Sequence, residues 1–123
     1  MLTGDMTDGI DDRPRAPDAV VCLVTTPRAD AQRIASAVID GKLAACVNIV
    51  PLVQSVYWWK DKVEQDDEAL LLLKTTRGAV SQLDELLQAI HPYESFELVA
   101  FDVVAGSRPY LDWIAKSIGP EQP

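Results

Sequence analysis

A chain of 123 residues and 13.5 kDa, 48% hydrophobic with a mean hydropathy of +0.03, has room for one domain around one core and is not a disordered protein. Its net charge of -8 and isoelectric point near 4.4 deny it the basic face that a nucleic acid or an anionic lipid surface requires, but permit cationic partners, including metal ions. No apolar run approaches the ~20 residues of a membrane span and no basic-then-apolar signal pattern opens the chain, so the expected address is the cytoplasm.

Residues 1–18 hold Asp5, Asp8, Asp11, Asp12 and Asp18 among glycines and prolines and read as a disordered or extended tail, with residues 19–119 as the folded domain. Val20–Val24 is a short apolar run suited to a strand buried on both faces. Thr25-Thr26-Pro27 offers a hydroxyl N-cap and a first-turn proline to a helix in which Ala31, Ile34, Ala35 and Val38 share a face, and Gly41 stops it. Ala45–Trp59 and Val63–Thr75 read as the arms of a long β-hairpin, with Lys60-Asp61 at its tip and Pro51 at an edge or bulge. Thr76 can cap a second helix carrying Val80, Leu83, Leu87 and Ile90 on one side, and Pro92 ends it because the residue before proline avoids helical backbone. Phe96–Ala105 reads as another strand, broken by Gly106. Ser107 and Pro109 then open a last helix with Tyr110, Ile114 and Ile118 at four-residue intervals, closed by Gly119-Pro120.

That order predicts an α+β ferredoxin-like βαββαβ sandwich with a C-terminal helix, in which helices cover one face of a four-stranded antiparallel sheet. Yet Val20–Val24 and Leu70–Leu73 are apolar on both sides, so something must cover the other face. Hairpin arms of about 43 Å also outrun helices of about 21 Å, leaving half the hairpin, with Tyr57, Trp58 and Trp59, beyond its own domain. An overhanging ribbon of this kind predicts an obligate homo-oligomer.

The chemistry-bearing residues concentrate around the only histidine, His91, followed by Pro92, Tyr93, Glu94 and Glu97. A neutral His91 imidazole with Glu94 or Glu97 could hold Cu(II) or Zn(II), whereas a protonated His91 would complement the negative end of the preceding helix. Lys74 and Lys62 could bind a small anion with Trp59 and Tyr93 stacking on it, or pair with Glu64, Glu68 or Glu97. Trp58, Trp113 and Tyr110 read as packing residues, and Glu64, Asp66, Asp67 and Glu68 as a solvated hairpin face. Cys22 and Cys46, without C-x-x-C spacing, read as buried thiols in a reducing compartment; a copper-binding thiolate is the sharper alternative and needs a histidine nearby in space. With no glycine-rich phosphate loop and no nucleophile and base to assign, the chain reads as a non-enzyme.

Thr25-Thr26-Pro27, Lys42-Leu43-Ala44-Ala45-Cys46-Val47-Asn48, Tyr57-Trp58-Trp59, Lys62-Val63-Glu64, Lys74-Thr75 and His91-Pro92-Tyr93 together resemble the CutA family of divalent-cation tolerance proteins, in order and spacing from Val20 to Ile118. The resemblance implies a cytoplasmic homotrimer whose hairpins extend neighbouring sheets and which binds copper or other divalent cations. It also implies an inter-subunit pocket formed by Trp59, Lys62, Glu64, Lys74, His91, Tyr93 and Glu97. Three positions depart from the family pattern: Val24 stands where some members have cysteine, Ile90 where some have a second histidine, and Phe96 where a proline often precedes the glutamate. Two other readings stay open, a signalling trimer resembling PII proteins that binds a small anion, and a structural scaffold that anchors other proteins.

Overall fold

The computed structural model describes residues 9–13 and 18–119. Four strands form an antiparallel sheet in the order β3-β4-β2-β5: β2 (Ala19–Thr26), β3 (Cys46–Trp59), β4 (Lys62–Thr76) and β5 (Val99–Asp102). Three helices accompany them, α1 (Ala31–Asp40), α2 (Val80–Ile90) and α3 (Arg108–Ser117). A separate two-stranded ladder joins β1 (Ile10–Asp11) to β6 (Gly106–Ser107). The expected ferredoxin-like α+β order is present, with α3 added.

Alternation along β2 and β4 divides the sheet into two faces. Val20, Cys22, Val24, Leu71 and Leu73 point to one side, where Ile34 and Val38 of α1 and Leu83 and Leu87 of α2 seal them, and each of these side chains is at most 2% exposed. Burial of this kind contributes about 1.5–3 kcal/mol per large aliphatic side chain. Register places Val21, Leu23, Leu70, Leu72, Lys74, Val99 and Phe101 on the opposite face. Among the described residues only one end of that face is covered, where Leu111 and Ile114 of α3 pack on Ala19 beside Ala45 and Val103.

The hairpin turns through Lys60 and Asp61, both at positive φ (51° and 66°), the mirror-image turn whose twist suits a two-residue connection. Beyond Thr26↔Ala69 the ladder has no third strand among the described residues, so Lys62–Glu68 pairs only with β3. The register shift between Val50 and Val53 straddles Pro51, which cannot donate to a ladder, and β3 is the sheet edge; both expectations for Pro51 are met.

Several local expectations need correction. Thr26 closes β2 instead of capping α1: its hydroxyl donates to the Pro27 carbonyl (3.3 Å), Pro27 is extended (φ -53°, ψ 141°), and a single 3₁₀ turn, Arg28–Asp30, precedes the helix. Thr76 is likewise extended and makes no side-chain cap, and the turn Arg77–Ala79 leads into α2. The left-handed residue after α1 is Lys42 (φ 57°), not Gly41, with the Leu43 N–H returning to the Val38 carbonyl (3.1 Å). The strand expected over 96–105 shrinks to β5, because Phe96 and Leu98 pack into the core on the way to the sheet. Gly106 does not merely break that strand but pairs with Asp11 of the N-terminal segment. Ile118 lies past the end of α3 in extended backbone. Residues 1–8 and 14–17 of the expected tail lie outside the described residues; Ile10–Asp11 within it is a strand.

Candidate functional site

Pro92 holds His91 in extended backbone (φ -74°, ψ 137°) where α2 ends, and the His91 N–H closes the last helical bond to the Leu87 carbonyl (2.8 Å). The turned-out imidazole is 8% exposed, stacks on the Phe96 ring (centroids 4.9 Å apart, 20° between planes) and leans on the Tyr93 ring at 5.0 Å. Its Nδ1 accepts the Tyr93 backbone N–H at 3.1 Å, so Nε2 carries the proton and donates to the Thr25 carbonyl at 2.8 Å. Both ring nitrogens are therefore engaged, and a metal reaches one only by displacing an internal bond. The alternative role at the helix end falls to another residue: Arg33 donates from Nη1 to the Ile90 carbonyl at 3.0 Å.

Tyr93 carries the network outward. Its hydroxyl donates to Glu68 Oε2 at 2.9 Å, and Glu68 is only 5% exposed. Two positions along β4, Asp66 accepts the Tyr57 hydroxyl. Burial, together with the Glu68 hydrogen bond and the charges of Glu68 and Asp66, pushes the Tyr93 phenol up to about 12. The Asp66 hydrogen bond, with some burial and the nearby carboxylates, does the same for Tyr57. Glu68 thus departs from the solvated face expected of the hairpin acids; strand alternation groups it with Leu70 and Leu72 on the bare face, so no spacing in the sequence signalled its burial, and its partner Tyr93 comes from the loop after α2.

The expected metal set does not converge within one chain. Glu94 opens onto a groove of about 980 Å³ between α2 and residues 91–100, shared with Ser81, Asp84 and Gln88. Glu97 instead accepts the Thr25 hydroxyl (3.4 Å). No group of three His, Cys, Asp or Glu side chains suited to a metal ion forms among the described residues. Cys22 is sealed in the core, where burial pushes its thiol up to about 11. Cys46 is only half-buried and lies opposite Lys74, four ladder positions along β4 from Leu70, the partner of Thr25. Val24 and Ile90 are both spent on core packing.

The remaining pocket residues fall into two distant groups. Trp59 faces Lys62 and Tyr57 faces Glu64 at the hairpin tip, with the Lys60 ammonium 5.6 Å from the Trp59 ring centre. Lys74 lies on the same strand as Lys62 but twelve positions away, about 40 Å, and donates to Asn48 Oδ1 instead of pairing with a glutamate. His91, Tyr93 and Glu97 stand between these extremes. Of the three packing residues expected, Tyr110 and Trp113 do pack together (5.5 Å) beneath α3, whereas Trp58 is 74% exposed.

A ferredoxin-like domain with a free-standing hairpin and a histidine-proline-tyrosine corner defines a narrow class of small α+β proteins. Residues 20–117 match the family model described as CutA1 divalent ion tolerance protein, and the chain belongs to that family. It is 46% identical over 100 residues to the divalent-cation tolerance protein CutA of Thermus thermophilus, covering 80% of this chain and 97% of that protein. The solved structure of the Thermus protein superposes with a TM-score of 0.80 over 82% of this chain and 99% of its own. The mouse protein CutA is 45% identical over 84 residues, which make up 68% of this chain but 48% of the mouse protein, so the chain spans about half of that longer relative. The structure described as the periplasmic divalent cation tolerance protein CutA from Archaeoglobus fulgidus matches at 31% identity and a TM-score of 0.77, over 80% of this chain and 97% of that one. Among the described residues no helix is long and apolar enough to cross a membrane.

Proposed function

We propose that this protein is a non-catalytic, cytoplasmic homotrimer that responds to divalent cations, copper among them, by binding a cation or a small ligand in pockets between subunits. The observation that carries the reading is the combination of a bare apolar sheet face with an overhanging hairpin whose outer edges have no partner strand among the described residues. A neighbouring copy laid against both would dry Leu72, Val99 and Phe101 and pair the free hairpin edge. The same packing would carry Trp59, Lys62 and Glu64 of one copy toward the His91–Glu97 corner of the next. Glu94 and Glu97 supply hard oxygen ligands there, and His91 adds Nδ1 once the Tyr93 N–H swings away. The names of the Thermus and Archaeoglobus relatives, divalent-cation tolerance proteins, support the cation.

Sedimentation of the purified chain at micromolar concentration tests the assembly, and a monomer would overturn it. Copper calorimetry on the wild type, Glu97→Ala and His91→Ala tests the pocket: the reading expects binding in the wild type and at least a tenfold loss in each variant. Absence of copper or zinc binding to the wild-type trimer, with a thermal shift on adding a small organic anion, would transfer the pocket to the anion reading. Fractionation of cells producing the chain tests the address.

A further inference from the structure

We propose that Gly9–Arg13 is a clasp that holds α3 closed over the Cys46–Lys74 end of the bare sheet face. It lies outside the residues shared with the family model. α3 has ten residues, too few to be stable alone, and only Leu111 and Ile114 are fully withdrawn from solvent. Its position therefore depends on its ends. At the C-terminal end the Gly119 N–H donates to the Lys42 carbonyl at 3.0 Å.

The N-terminal end is tied more elaborately. Ile10 pairs with Ser107 and Asp11 with Gly106, and the Arg108 N–H donates to the Gly9 carbonyl at 2.9 Å. Gly106 makes the crossing tight, since a Cβ there would stand 3.2 Å from Leu111 Cδ1. Asp11 is fully buried and accepts from Arg13 Nε (2.8 Å), Nη2 (2.6 Å) and backbone N–H (3.3 Å). Arg108 adds positive charge beside it, with an Nε that is buried and without a hydrogen-bond partner among the described residues. A buried carboxylate persists only when paired, and Arg13 two residues on, with Arg108 beside it, supplies that pairing where Asp11 sits against Gly106. Under the helix, Tyr110 meets the Cys46 thiol, and its phenol is pushed up by burial and by that neighbour. Cys46 in turn lies opposite Lys74. Opening the clasp would bare this end of the sheet while leaving the α1–α2 core intact.

Hydrogen exchange read by mass spectrometry on the full chain, wild type against Asp11→Ala and Arg13→Ala, tests the clasp. Amides of α3 should exchange at least about tenfold faster in both variants while β2 and β4 keep wild-type protection. Iodoacetamide should label Cys46 at least about fivefold faster, with buried Cys22 untouched. Unchanged α3 exchange and unchanged Cys46 labelling would overturn the proposal. So would a uniform rise across β2, β4 and α3, which would make Asp11 a contributor to global stability only.

Discussion

The two faces of the sheet are built from the same strands and nearly the same side chains, yet one is dry and the other is not. Leu71 and Leu73 are fully buried beneath α1 and α2, while Phe101 and Val99 on the reverse are 55% and 44% exposed. Apolar character on both sides of a strand therefore records that two surfaces are meant to be dry. It does not record what dries them: among the described residues the answer is helices on one side and, on the other, α3 over one end.

The sharpest way to break the comparison is to cut equal volume from each face. Leu71→Ala should cost about 2–5 kcal/mol in urea unfolding, the range for a leucine removed from a sealed core. Leu72→Ala, half-buried on the bare face, should cost the isolated chain about 1 kcal/mol or less. Equal losses at low protein concentration would erase the distinction between the faces. Phe101→Glu should leave circular dichroism unchanged but weaken self-association by about a hundredfold, read by sedimentation, because a charge would be trapped in the interface. A wild-type association constant in that variant would mean the face is not where copies meet.

Where the covered sheet gives way to the overhang, Tyr93→Phe removes one hydrogen bond and strands a buried carboxylate. The expected cost is about 1–3 kcal/mol, seen as faster amide exchange across residues 91–98. The smallest effect is alkaline. Tyr57 and Tyr93 are raised to about 12 against about 10 in an unfolded chain, so their stabilisation is complete below pH 10 and fades as the pH rises through 12. Ultraviolet titration should show Tyr57 and Tyr93 ionising near that upper limit, with Tyr110 also above the ordinary tyrosine value. At the acid end the Arg13 hydrogen bond holds Asp11 down to about 2, so the clasp is intact above about pH 4 and released as the pH falls through 2.

The fold was legible because its signals were periodic: Ala31, Ile34, Ala35 and Val38 mark α1 at helical spacing, and Leu70–Leu73 marks the central strand. Boundaries were less so. Threonine before proline suggests a cap, but Pro27 prolongs the extended backbone and delays α1 by a turn. The site was legible in composition and not in arrangement. His91, Tyr93 and Glu97 do gather around Thr25, yet Lys74 and Lys62 lie at opposite ends of one strand, a separation that no motif spacing reports. Asp11 went unread as a structural residue because, although its hydrogen-bond partner Arg13 is two positions on, the Gly106 strand and the Arg108 charge that enclose it come from the far end of the domain.

Because His91 is the chain's only histidine, the molecule carries a built-in spectroscopic reporter. One imidazole gives one pair of ring nitrogen resonances, free of overlap, at the junction of β2, α2 and the loop to β5. In the arrangement described, those two shifts should be well separated, a protonated Nε2 and an accepting Nδ1. Cation ligation at Nδ1, rupture of the Thr25 bond and loosening of the Tyr93 corner would each displace the pair differently. A single nitrogen-detected spectrum can thus distinguish a corner that binds metal from one that only holds its loop in place.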